Sequence, residues 1–182
     1  MPAHLRPSVL LAALAAAAAN AADAPAPVDE RALQLPRIVL GIVAYARWPQ
    51  PLPGYRLCIA GEAAELDALL NVPAAVGERP LEARRIDLDD DGAIPPACDI
   101  IYLGRGTAPQ ARRSLYAAAA GQPVLTISTV DGECAEGSQF CLRVPPVPGT
   151  PTLLLNLDAI SRGAVRVNPR VLQITRSLED GR

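Results

Sequence analysis

"CDIIYLGRGTAPQARRSLYAAAAGQPVLTIS", residues 98–128, decides the architecture. Residues 98–104 are a short apolar run closed by a glycine. Residues 108–120 have helical periodicity and stop at Gly121. Residues 123–128, "PVLTIS", are a second buried-strand run. This strand–helix–strand order, with strands too apolar for one wet face, predicts an α/β sheet covered on both sides.

The same rhythm extends upstream. "YRLCIAG" (55–61) reads as a strand, "EAAELDALL" (62–70) as a helix, and "LEARRIDL" (81–88) alternates like a strand. In "VDERALQLPRIVLGIVAYARW" (28–48) the helical pattern starts at Leu33. Leu35, Ile38, Val39, Ile42, Val43 and Ala46 recur at three- and four-residue steps, and "WPQPLPG" ends the run. Pro36 marks a kink or a first turn. Downstream, residues 138–160 read as two strands around a Pro/Gly-rich turn, a hairpin. "LDAISRGA" (157–164) is a short helix. "NPRVLQITRSL" (168–178) is a last helix with Asn168 as N-cap and Pro169 at its first position. The expected fold class is α/β: a central, mostly buried sheet flanked by helices, one domain with a C-terminal hairpin and helix, and two disulfides.

The beginning of the chain sets the compartment. Arg6 precedes the apolar stretch "SVLLAALAAAAA", and Ala19 and Ala21 flank Asn20 as an A-x-A site. That is the layout of a secretory signal peptide; the apolar run is shorter than the roughly 20 residues of a bilayer span. The competing readings are an uncleaved anchor and an Ala-rich helix. The expected division is a signal peptide at 1–21, an extended tether at 22–32, the α/β domain at 33–178 and a tail at 179–182. The mature chain is expected to be exported.

Two absences narrow the chemistry. The chain has no lysine, and its only histidine is His4, inside the leader. A Ser-His-Asp or Cys-His arrangement, a Schiff-base lysine, a Walker-type phosphate loop and a His-ligated metal are excluded downstream of it. Net charge is −2, without a basic stretch interleaved with aromatics, so no nucleic-acid partner is expected. No enzyme, cofactor or metal is expected either.

Several motifs remain. "DLDDDG" (87–92) resembles the first half of a calcium loop, with Asp87, Asp89 and Asp91 at ligand spacing. The twelfth position is Cys98, where a bidentate glutamate belongs, so a solvated acidic turn is the better reading. Gly104, Arg105 and Gly106 lie between a strand and a helix. They read as a plain connection or as a small anion-binding turn. Trp48, the only tryptophan, stands between Arg47 and Pro49. It reads as a core anchor or as a contact surface for another protein.

The four cysteines allow three pairings in an exported protein. The short loop favours Cys134–Cys141, which leaves Cys58–Cys98. A four-thiolate zinc site is the rival, without any C-x2-C pair in its support.

In order, a leader, a helix ending "YARWP", then "YRLCIAG", "CDIIYLG", "PVLTIS", "FCLRV" and "LLLNLDAISRGAVRVNPRVLQI" resemble the YfiR-like family of bacterial periplasmic proteins. The resemblance runs from Leu33 to Leu178. It implies disulfides at Cys58–Cys98 and Cys134–Cys141, a sheet flanked by helices, and homodimerisation. It also implies a role: repression of a membrane diguanylate cyclase of the YfiN type through its periplasmic sensor domain. An OmpA-like lipoprotein of the YfiB type would relieve that repression, and disulfide oxidation would sustain it. The surface to carry partner binding is placed at Arg47, Trp48 and Pro49, with Asn156 and Asn168 in a second region. The alternative is a periplasmic small-ligand-binding module using the Gly104–Gly106 turn and the Arg47–Trp48 pair. An enzyme working through carboxylates alone has Asp87, Asp89, Asp90, Asp91 and Asp99 at its disposal. They cluster in one turn instead of facing each other across a cleft.

Overall fold

The structure, a computed structural model, describes residues 33–88, 93–94, 97–129, 134, 137–145 and 151–174. The leader, the tether, the tail and the core of the acidic turn (89–92) lie outside the described residues. No helix among the described residues is long and apolar enough to cross a membrane.

Helix α1 spans Gln34–Tyr45 and buries Leu35, Ile38, Val39, Ile42 and Val43 along one stripe. Pro36 stands in its first turn, where a missing N–H breaks no intrahelical bond. The helix stops before Trp48 because Ala46–Arg47 leave it as strand β1, which pairs antiparallel with β9 (Arg166–Val167). Strand β2 is Tyr55–Ala60. The single helix expected at 62–70 is instead a bridge, a 3-10 turn and a short helix. Glu62 pairs with Arg105, the turn covers Ala64–Leu66, and α2 is Asp67–Asn71. The backbone of Glu62 is engaged by Arg105, so no helix can begin there.

Strands β3 (Ala74–Val76) and β4 (Arg79–Arg85) form a hairpin around Gly77, of which only the second strand was expected. Strand β5 (Ile100–Leu103), α3 (Pro109–Ala119) and β6 (Leu125–Thr129) realise the strand–helix–strand unit. Strands β7 (Phe140–Arg143) and β8 (Thr152–Leu155) form the expected hairpin, followed by α4 (Leu157–Arg162). The last helix begins as a 3-10 turn, Pro169–Leu172, with the Asn168 side chain accepting from the Arg170 N–H; residues 175–178 lie outside the described residues.

The main sheet has the order β3-β4-β2-β5-β6-β7-β8. Strands β4, β2, β5, β6 and β7 are parallel, and the two edges are antiparallel. The register aligns Ile59, Tyr102, Ile127 and Phe140 across four strands. All four are fully buried among the residues packed with α1. Their neighbours in sequence point to the opposite face, as the two-residue period requires. There Cys58, Ala60, Ile101 and Leu103 pack with Leu115 and Tyr116 of α3. Each large side chain buried this way contributes about 1.5–3 kcal/mol. Toward β6 and β7 this second face turns polar: Thr126, Ser128, Ser138 and Gln139 are buried on or beside it.

Candidate functional site

The two disulfides join Cys58 to Cys98 and Cys134 to Cys141, with Cα separations of 5.8 Å and 5.5 Å. All four thiols are used, which removes the zinc reading and any ligand role for Cys98 in a calcium loop. Beside the first bridge, Arg56 grips Asp99 with two side-chain hydrogen bonds, Nε to Oδ2 at 2.8 Å and Nη2 to Oδ1 at 2.7 Å. The Arg56 N–H donates to the same carboxylate. These bonds raise the Arg56 guanidinium above its already high value and satisfy a carboxylate that is almost fully buried. Asp99 is therefore a structural partner of Arg56.

Arg47, Trp48 and Pro49 come together on one side of the domain. β1 turns the chain out of α1, and the proline-rich segment carries it over the start of β2. The Trp48 ring lies 5.2 Å from that of Tyr55, tilted by 47°. Arg79 extends from the start of β4 across the same ring, 6.0 Å from its centre, and its Nη1 donates to the Tyr55 hydroxyl at 3.1 Å. Arg47 is exposed, with its Nη1 donating to the carbonyls of Ala44 and Ala46. The Trp48 Nε1 is buried and has no acceptor among the described residues. Under these groups is a concavity of about 220 Å³. It adjoins a groove of about 440 Å³ running past Leu52 and Tyr55 to Arg56. Trp48 is half-buried against the α1 core, so it is an anchor on its inner side and a surface on its outer side. Tyr55, itself buried, backs this surface from beneath Trp48, and Arg79 completes it; neither was singled out from the sequence. The signal was the "YR" directly after "WPQPLPG" and the turn glycine, Gly77, that places Arg79 at a strand start.

Asn168 joins this region, its N–H donating to the Tyr45 carbonyl at 2.9 Å. Asn156 stands elsewhere. Its Oδ1 accepts from the Ala159 N–H as the α4 cap, and its Nδ2 donates to the Cys134 carbonyl. Both asparagines thus have side chains occupied by capping.

The Gly104–Gly106 turn is at the other end of the sheet, after the C-terminus of β5. Its first two N–H groups are taken: Gly104 donates to Ala60 at 2.8 Å and Arg105 to Glu62 at 2.9 Å. A Cβ on Gly104 would stand 2.1 Å from the Glu62 carbonyl oxygen, so close backbone packing accounts for this glycine. Neither N–H is available to cradle an anion.

A sheet flanked by helices and two bridges at these positions match the family the sequence resembles. A profile of that family, described as YfiR/HmsC-like, matches residues 36–176. The chain belongs to the YfiR/HmsC-like family. YfiR/HmsC-like proteins form a regulatory rather than a catalytic family. In this YfiR/HmsC-like domain the Arg47–Trp48–Pro49 region offers aromatic rings, guanidiniums and exposed prolines, the residue types that anchor protein partners.

Proposed function

We propose that this protein is a periplasmic negative regulator that binds the sensor domain of a membrane diguanylate cyclase of the YfiN type and holds cyclic di-GMP synthesis down. Family membership over residues 36–176 carries the reading. The leader, and a chain without lysine or further histidine downstream of it, support a role in binding. The contact surface is Arg47, Trp48 and Pro49, framed by Tyr55 and Arg79. Inhibition follows if this surface binds the inactive arrangement of the sensor more tightly than the active one, since only differential affinity shifts a population. A YfiB-type OmpA-like lipoprotein relieves repression by taking the regulator away, and the working form is a homodimer. Oxidised bridges keep it competent.

Deletion in the host tests the role: cyclic di-GMP and surface attachment should both rise, and unchanged levels of both overturn it. With purified components, a YfiN-type sensor domain should bind the oxidised protein. Its affinity should fall about tenfold or more for Arg47→Ala, the scale of a lost interface anchor.

A further inference from the structure

A cavity of about 290 Å³ lies on the α3 face of the sheet, between α3 and α4. Its floor is Thr126 and Gln139, 2% and 5% exposed. The two lock each other. The Thr126 N–H donates to Gln139 Oε1 at 2.9 Å, and the Gln139 N–H donates to Thr126 Oγ1 at 3.0 Å. A backbone N–H only donates, so the atom facing it must be the amide oxygen, and the orientation of the Gln139 amide is fixed. Nε2 is therefore turned toward Gly163, where a Cβ would stand 2.2 Å from it. No acceptor among the described residues takes its hydrogens. Its hydrogens remain open to the cavity, to be taken by water or by a ligand.

The rest of the lining has the same sign. Arg113 and Arg162 flank the cavity, and no carboxylate lines it among the described residues. Arg162 pairs with Asp158 at 2.7 Å, but both side chains are exposed and such a pair is weak. Arg113 donates one bond to Gln110. Each guanidinium has further donors to give. The Tyr116 ring and neighbouring alanines supply an apolar wall. Among the described residues donors converge here without matching acceptors, beside a surface suited to a short apolar body.

We propose that this cavity binds a small organic carboxylate with a short apolar body, its oxygens received by Gln139 Nε2 and the guanidiniums of Arg113 and Arg162. Gln139 belongs to the segment closed by Cys134–Cys141, so the site depends on the oxidised bridge. The proposal goes beyond the cyclase partnership and stands without it.

Benzoate is the probe, titrated calorimetrically into the purified oxidised protein. Benzyl alcohol (the body without the charge) and inorganic phosphate (an anion without the body) are the comparisons. Benzoate should bind saturably and raise the melting temperature, and both comparisons should bind at least tenfold more weakly. The double variant Arg113→Ala/Arg162→Ala should lose about tenfold in affinity or more, as removal of charge-assisted bonds implies. Gln139→Glu keeps the acceptor for Thr126 but replaces the donor with a repelling oxygen, and should abolish binding. Ala117→Trp, at an exposed α3 position on the cavity wall, should fill the mouth and abolish binding without lowering the melting temperature. This surface variant keeps the test decisive if Gln139→Glu does not fold. Reduction with dithiothreitol should weaken binding. Absence of saturable binding, equal binding of benzyl alcohol or phosphate, or affinity unchanged in Ala117→Trp and the double arginine variant would each overturn the proposal.

Discussion

Two consecutive parallel crossovers in one sheet are built by different means. From β5 to β6 the chain passes through α3. That helix lays Ala111, Leu115, Tyr116 and Ala119 on the sheet and closes the face with apolar contact. From β6 to β7 it passes through residues 130–139, which contribute no helix among the described residues. There a covalent tie between Cys134 and Cys141 holds the segment. A helix can hold its place only by burying an apolar stripe. A disulfide needs no such stripe, since it restricts the unfolded chain whatever lies beneath it. The second crossover can therefore rest on Ser138 and Gln139 and leave the adjoining face polar and concave.

The largest expected effect is on the helical side. Leu115 is fully buried, and Leu115→Ala should cost about 3 kcal/mol in urea unfolding, within the usual spread for such truncations. A cost under about 1 kcal/mol would mean that α3 does not hold its crossover by packing. Next comes the covalent side. Cys134→Ala with Cys141→Ala should cost ~2.5 kcal/mol by loop closure. Hydrogen exchange sharpens the comparison: amides of Phe140–Arg143 should lose protection while those of Ile100–Leu103 keep theirs. Equal loss in both would show that the two crossovers are not separate.

A smaller effect is confined to alkaline pH. Burial raises the hydroxyls of Tyr102 and Tyr116 above their ordinary values. The unfolded chain therefore releases these protons first. Their contribution is fully present below about pH 10 and declines as pH rises past it, by about 1.4 kcal/mol per pH unit for each tyrosine. Tyr102→Phe should remove one share of that slope and Tyr116→Phe the other. Tyr116 packs against Gly137 of the disulfide-closed segment, so its share should shrink in the variant without Cys134–Cys141 while that of Tyr102 persists. The smallest effect belongs to neither crossover. Arg47→Ala should change stability by no more than ~0.5 kcal/mol, and serves as the reference while partner affinity falls.

The central strands were legible because they are buried on both faces, whereas β4 was legible by its alternation. "CDIIYLG" and "PVLTIS" are mostly apolar with no charged residue on the strands themselves, and a central parallel strand has no wet side to interrupt the run. Edge strand β3 is three residues of Ala and Val, too short for a period to register. The end of α1 was misplaced because Ala46 continues the helical spacing. What turns it into a strand is pairing with Val167, far away in the chain, and no local pattern records that. The disulfide partners were legible because loop length alone ranks the choices. Part of the proposed contact surface was legible: Trp48 stands out by type, whereas Tyr55 and Arg79 join it only through the register of β2 and β4. The cavity was not legible at all. Its floor and walls come from β6, α3, α4 and the segment before β7, and none of its residues is unusual where it stands.

The edges of the sheet limit how another protein can attach. Both are closed by antiparallel hairpin strands of three and four residues, β3 and β8, and each is preceded by a proline, Pro73 or Pro151. An incoming strand would find too little exposed main chain to extend the ladder. Recognition by β-augmentation is disfavoured at these two edges. A partner meeting the sheet there would then read side chains, and its choice would turn on a few of them.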